Sequence, residues 1–485
     1  MTSELNRREF LRIGGAAGLG ALGLARGKAA PTLRPNVVFV FADQHRNASW
    51  SGGSDEQVVT PNLARLAREG AAFSHCISNY PLCSPYRASL LTGRYPQSNS
   101  VMRNIGVGDP GLSTTEVTIA DLLKQAGYAT GYVGKWHLYP GAPQGKLVPT
   151  GPHRHGFDWW RVCHNYRSRY DTRCFDDQGK EFVLPGYAPK AQMDLTLEFI
   201  EKHSARPFCV FLSWHPPHAP YEEAPQQFLD LYPAEKLKLR PNVPEDADLK
   251  RIRQAYTGYF AHVSAMDAEM GRLMDKLAQL GIAGRTIVCY SSDHGDMLGS
   301  FNLWAKQKPW EESINVPFVV RWPDGIPAGR RLNASFSTVD ITPTLLGLAG
   351  VPAPRQMEGA DLSAILKGRG ASGPESVFLM ARGAAGGGEE EAAPARAGGR
   401  QQGRKAAKQG ARRAANRPGE WRGVRTARFT YARRQTGGGP QPWVLYDNDK
   451  DPYQQRNLVE DPAAQSTRKD LDALVDRWRR RLGEA

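Results

Sequence analysis

The run Asn36-Val37-Val38-Phe39-Val40-Phe41, continued by Ala42-Asp43-Gln44-His45, decides the fold. A strand with one wet face alternates apolar and polar residues. An unbroken apolar run this short is a strand covered on both faces, as in a parallel sheet between two helix layers. The acid, amide and imidazole that follow fall at its carboxyl end, where open α/β sheets hold their ligands.

The same scheme recurs outward from this strand. Thr60-Pro61 opens a helix with an N-cap and a proline in its first turn, Leu63, Leu66 and Ala67 form its apolar face, and Gly70 closes it. Thr118 to Gly127 repeats the pattern with Ile119, Leu122, Leu123 and Ala126. Strands are predicted at Gly131-Tyr132-Val133-Gly134, Phe208 to Ser213 and Thr286 to Ser292. A long helix marked by Val263, Met266, Met270, Leu273 and Leu277 precedes the last of them. Alternation of this kind to about residue 365 predicts an α/β domain with a large, mostly parallel sheet sandwiched by helices. Each later strand also ends in a polar cluster: Lys135-Trp136-His137, Trp214-His215-Pro216-Pro217-His218 and Asp293-His294-Gly295-Asp296.

The chain divides into three parts. Residues 1–30 read as an address, 31–370 as the catalytic domain and 371–485 as a small C-terminal subdomain. Within the last, Trp421 to Arg433 and Pro442 to Asp447 read as antiparallel strands. Leu471 to Leu482 reads as a terminal helix with Leu471, Leu474, Val475, Trp478 and Leu482 inward. Residues 383–418 are Ala, Gly, Arg and Gln with almost no large apolar side chain. That composition cannot bury enough surface to offset chain entropy, so a solvated, disordered insert is expected.

The 485 residues carry a formal charge of +14. Residues 1–30 supply +3 and residues 383–418 supply +5, leaving +6 for the rest. That modest excess suits an anionic substrate, and no nucleic-acid-binding motif accompanies it. Asn6-Arg7-Arg8-Glu9-Phe10-Leu11, followed by the Gly/Ala-rich stretch Ile13 to Ala25, resembles a twin-arginine signal. It implies export of folded protein through the twin-arginine machinery to the bacterial periplasm or beyond. The stretch is too short and Gly-rich for stable membrane insertion.

Six cysteines are present and none forms a Cys-x-x-Cys pair, so a zinc site is not indicated. Cys209 and Cys289 lie in strand-like apolar runs and read as inert core residues. Cys163 and Cys174 are free to pair after export. Cys83 differs by its neighbours, Leu82-Cys83-Ser84-Pro85-Tyr86-Arg87-Ala88-Ser89-Leu90-Leu91-Thr92-Gly93-Arg94. A short helix ending at Gly93 places Arg87 one turn from Cys83. The cysteine then sits at a helix N-terminus beside a guanidinium, where an anion is favoured.

Cys-x-Pro-x-Arg followed by Leu-Thr-Gly-Arg resembles the signature of the type I sulfatases, in the alkaline phosphatase superfamily. The resemblance spans most of residues 36–365 and returns at Trp443-Val444-Leu445-Tyr446-Asp447 and Asp451-Pro452. Tyr86 departs from it, since many members carry Ser there. The resemblance implies an enzyme that hydrolyses sulfate esters, with Cys83 oxidised to formylglycine by a formylglycine-generating enzyme before folding. Asp43, Gln44, Asp293 and His294 match the positions that hold a divalent ion, usually calcium. Gln44 and His294 stand where many members carry Asp and Asn, which leaves magnesium or manganese open.

Arg87, Lys135, His137, His218 and Lys306 match the family's catalytic and sulfate-binding positions, with Lys308 a competitor for Lys306. Asn104 matches a substrate-facing Asn of some relatives. The implied mechanism has one hydroxyl of hydrated formylglycine attack sulfur. His218, with Lys306, protonates the leaving oxygen, and His137 deprotonates the second hydroxyl. His164-Asn165-Tyr166-Arg167-Ser168-Arg169-Tyr170 reads equally as a sugar-binding loop, with His164 touching substrate, or as an ordinary surface loop. A sulfated small molecule or oligosaccharide is the expected substrate. A phosphonate monoester or phosphodiester hydrolase of the same superfamily and an inactive glycan-binding protein are the alternatives.

Overall fold

A computed structural model describes residues 34–55, 57–164, 168–370, 373–382 and 419–484. The twin-arginine segment and the 383–418 insert lie outside the described residues.

The apolar run that opens the chain forms the strand Asn36–Asp43, buried at all eight positions. It pairs in parallel with Phe208–Pro217 on one side and Thr286–Ser292 on the other. Its side chains explain the unbroken pattern. Val37, Phe39 and Phe41 enter one core cluster, and Val38, Val40 and Ala42 enter the other. The sheet has ten strands. From edge to edge they are Arg330–Leu332, Ala71–Phe73, Val319–Arg321, Thr286–Ser292, Asn36–Asp43, Phe208–Pro217, Ala129–Lys135, Trp159–His164, Arg173–Phe175 and Glu181–Val183. The five central strands, from Thr286–Ser292 to Trp159–His164, run parallel. Antiparallel pairs appear toward both margins.

The helices form where the sequence places them. Ile119–Gln125 is closed at its start by a capping box between Thr118 and Asp121. Pro61–Arg68 is capped differently, because Thr60 makes no side-chain cap bond. Asp267, from the long helix Leu249–Gln279, instead accepts the Asn62 and Leu63 backbone N–H groups at 3.0 and 2.7 Å. Cys83–Thr92 begins at the cysteine itself and ends at Gly93 in the left-handed region (φ 63°). All ten residues of this helix are buried, so it crosses the interior as a supported element.

The C-terminal part is a four-stranded antiparallel sheet in the order Ser376–Ala381, Trp421–Thr426, Phe429–Thr436, Gly439–Asp447. The stretch expected as one strand from Trp421 to Arg433 is a hairpin, because the chain reverses between Thr426 and Phe429. The helix Gln465–Arg481 buries Leu471, Leu474 and Val475, with Trp478 and Leu482 partly covered. This sheet shares a core with the cysteine's surroundings: Val377 to Ala381 and Trp421 pack with Ile77, Tyr80, Leu82 and Trp310. Cys163 and Cys174 face each other across neighbouring strands and form a disulfide. Among the described residues no helix is long and apolar enough to cross a membrane.

Candidate active site

The four polar clusters meet at the carboxyl ends of the central strands because parallel neighbours end on the same edge. Asp43 and Asp293 close adjacent strands, and the first-turn residues of Cys83–Thr92 lie against them. Cys83 is 1% exposed. Its Sγ lies 3.4 Å from His294 Nε2, 3.4 Å from Lys306 Nζ, 3.7 Å from Lys135 Nζ and 3.8 Å from Asp43 Oδ1. Burial and Asp43 push the thiol's pKa up. Lys135, Lys306 and His294 outweigh them and hold it well below the usual thiol value.

Arg87 ties the floor together. One terminal nitrogen donates to the Lys135 carbonyl at 2.9 Å and to Ser213 Oγ at 2.6 Å. The other reaches Asp43 Oδ2 at 3.1 Å and Asp293 Oδ2 at 3.2 Å, and the guanidinium lies over the Phe41 ring. Lys135 Nζ adds a bond of 2.5 Å to Asp43 Oδ2. Burial works against ionisation of Asp43, but Lys135 and the nearby imidazoles and Lys306 hold its carboxyl well below the usual range. Asp293 moves the other way. Burial and the facing Asp43 charge raise it. Burial would lower His294, but Asp293 turns the net shift upward.

Two buried carboxylates face each other, and single ligand atoms of Asp43, Cys83, Asp293 and His294 all lie within 4.8 Å of one another. That donor set fits a divalent cation, which removes the like-charge repulsion that Lys135 and Arg87 only partly offset. Gln44 completes it. Its Nε2 donates to Asp296 Oδ2 at 2.7 Å, which turns Oε1 inward toward Lys306 Nζ at 3.2 Å. Asp296 also accepts Tyr221 OH at 2.5 Å and the Leu298 and Ala305 N–H groups at 2.8 and 2.9 Å. The sequence shows Asp296 inside a polar cluster, but not that it orients an amide 252 positions away.

The remaining expected residues divide by placement. His137 is buried beside Cys83, and burial lowers its pKa, so the imidazole is neutral near pH 7 and able to accept a proton. His218 turns Nδ1 to the Ala219 carbonyl (2.9 Å) and Nε2 to Lys306 Nζ (3.2 Å). Lys306 therefore reaches both Cys83 and His218, while Lys308 Nζ is spent on the Lys306 carbonyl at 2.7 Å. Asn104 Oδ1 accepts the Ser84 N–H at 3.1 Å, so one end of its side chain serves the first turn of the Cys83 helix. The backbone of His164 ends a sheet strand, but its side chain and residues 165–167 lie outside the described residues.

A buried thiol in an anion-stabilising ring, over paired carboxylates, is the arrangement of a site for a negatively charged ester. The sequence model of the sulfatase family matches residues 35–351. The chain belongs to the sulfatase family. The ulvan-active sulfatase of Formosa agariphila is 34% identical over 93% of this chain and 82% of its own. The endo-4-O-sulfatase of Bacteroides thetaiotaomicron is 31% identical over 68% of this chain and 72% of its own. Among solved structures, a Bacteroides fragilis protein assigned as a sulfatase superposes with a TM-score of 0.79 at 26% identity, covering 96% of this chain and 98% of that one. The sulfatase is accordingly a sulfuric ester hydrolase built on a large mixed sheet with a small antiparallel sheet at its C-terminus.

Proposed function

We propose that this sulfatase removes sulfate esters from fragments of a sulfated polysaccharide, using a formylglycine made from Cys83 and one divalent cation. The observation that carries the reading is the position of Cys83 Sγ, within 3.4 to 3.8 Å of an imidazole, two ammonium groups and a carboxylate. The ulvan and endo-4-O activities of the two relatives support a glycan substrate.

Asp43, Gln44, Asp293 and His294 would hold the cation, with calcium expected and magnesium or manganese the alternatives. Held there, the cation would lower the pKa of a nucleophilic hydroxyl that a hydrated aldehyde at position 83 would supply. The protein's own groups do the rest. Arg87, Lys135 and Lys306, all buried, offset sulfate charge. His218 and Lys306 hold a proton at the leaving oxygen, and neutral His137 takes one from the residue-83 side. Asn104 and His164 belong, in this reading, to the substrate-facing rim.

Residues 1–30 serve twin-arginine export to the periplasm or beyond. The oxidation of Cys83 by a formylglycine-generating enzyme then belongs to the cytoplasm. Residues 31–370 form the catalytic domain and 371–485 the C-terminal subdomain.

The test is sulfate release from a panel of sulfated oligosaccharides, ulvan fragments included, with a phosphonate monoester alongside and Cys83→Ala as control. Expected are release from at least one sulfated sugar, loss of that release in the control and a peptide mass showing the aldehyde at position 83. A strong preference for the phosphonate, or only unmodified cysteine in active protein from its native host, would overturn the proposal.

A further inference from the structure

Arg169 leads away from the outer rim. It comes from the polar loop whose composition suits sugar binding, yet its side chain turns inward and only 1% of the residue is exposed. One terminal nitrogen lies 2.8 Å from His215 Nδ1. The other donates to two successive carbonyls, those of His218 at 2.5 Å and Ala219 at 2.8 Å. A guanidinium only donates, so His215 Nδ1 is the acceptor and its proton sits on Nε2. The His215 ring in turn stacks on the His218 ring, with centroids 4.6 Å apart and planes 28° from parallel. His218 Nδ1 faces the same Ala219 oxygen at 2.9 Å. Arg169 therefore holds the His218 segment at three points.

A carbonyl oxygen accepts, so His218 Nδ1 carries a hydrogen and Nε2 is the edge left for chemistry. That edge is the one beside Lys306 Nζ. A rigid planar fork fixes both backbone and ring direction, which a flexible ammonium does not. We propose that Arg169 is a positioning residue for leaving-group protonation. It locks the ring angle and the tautomer of His218, so that the proton held between His218 Nε2 and Lys306 Nζ passes to the leaving oxygen as the sulfur–oxygen bond breaks. The proposal rests on the reading of His218 as the acid. It assigns Arg169 and His215 no contact with substrate.

A positioning role has a signature that a structural role lacks. Misplacing an acid slows esters of weakly acidic alcohols, which need the proton, and spares esters whose leaving group departs without one. The experiment measures kcat/KM for substituted phenyl sulfates of graded phenol acidity. It uses full-length aldehyde-bearing enzyme as wild type, His218→Ala, Arg169→Gln and Arg169→Lys. His218→Ala is expected to steepen the dependence on phenol acidity. Arg169→Gln should follow it, losing about 100-fold on the least acidic phenol and less than about threefold on 4-nitrophenyl sulfate. Arg169→Lys should fall between the two. If Arg169→Gln does not fold, Arg169→Lys alone decides by its slope. Parallel losses across the series in the Arg169 variants, with a steep His218→Ala, would overturn the positioning role. A His218→Ala slope equal to wild type would instead remove the acid assignment beneath it.

Discussion

Replacing Arg87 by Met removes the cation that bridges Asp43 and Asp293 while keeping an unbranched apolar side chain against Phe41. Asp43 retains Lys135 at 2.5 Å. Asp293 keeps the Gln44 and His294 backbone N–H groups at 3.0 and 2.9 Å and the His294 ring at 3.6 Å. Unit charges about 4 Å apart attract by about 4 kcal/mol at an effective dielectric near 20. Arg87 regains part of this as relief from its own desolvation, and breaking a buried pair typically costs about 3–5 kcal/mol. Unfolding entropy of about 2.1 cal/mol/K per residue over the roughly 410 described residues converts that loss to a Tm drop of about 3.5–6 °C.

Two dependences make the reasoning specific. Asp293 already sits above the usual carboxyl range through burial and Asp43, and losing Arg87 raises it further. The penalty of keeping Asp293 charged is therefore present at pH 8 and fades as pH falls and the group protonates, so the gap to wild type narrows toward pH 5. A divalent cation between the carboxylates supplies the missing charge, so the gap also narrows when saturating calcium replaces EDTA. Thermal unfolding at pH 5 and pH 8, with each additive, reads both effects. A gap unchanged by pH and by calcium would refute the account.

Asp296→Asn places an NH2 group among four donors and turns the Gln44 amide. Divalent-ion affinity, followed through the calcium dependence of activity, should fall about 10- to 100-fold, and an unchanged affinity would reject the role of Asp296. Asp340, buried at the start of Thr338–Ala349, accepts bonds from Ser337 and Ala360. Burial lifts its pKa from 3.8 to about 6 against those bonds. Its stabilising contribution is thus fully present below pH 3.8 and lost as pH rises through about 6, on the order of 3 kcal/mol. Asp340→Asn, which cannot titrate, should lack that slope in urea midpoints measured from pH 4 to 7, and an identical slope would count against the assignment.

The central sheet was legible because strands buried on both faces leave unbroken apolar runs, as in Val37 to Ala42 and Ile287 to Tyr290. Parallel pairing then forces their polar ends together, so Asp43, Lys135, His218 and Asp293 converge without any contact being visible in the sequence. The strand Ser376–Ala381 was not anticipated. Its partner, Trp421–Thr426, lies beyond the 383–418 segment, and local pattern does not name a distant partner. The Cys163–Cys174 bond needed the register of two neighbouring strands. Arg169 looked like one polar residue in a polar loop. Only tertiary geometry shows the side chain turning inward, and the same holds for Asp296 behind Gln44.

The shared packing of the C-terminal sheet with Tyr80, Leu82 and Trp310 sets a clock. Cys83 leaves the ribosome early, but Asp293 and Lys306, which enclose it, come more than 200 residues later, and Trp421, which covers that core, later still. At about 5–20 residues per second, the interval from Cys83 to Trp421 lasts roughly 20 to 70 s. For that time the core around Tyr80 and Leu82, next to the cysteine, lacks its C-terminal side. After it, Cys83 is 1% exposed, so translation speed through the later strands sets how long position 83 stays open to modification.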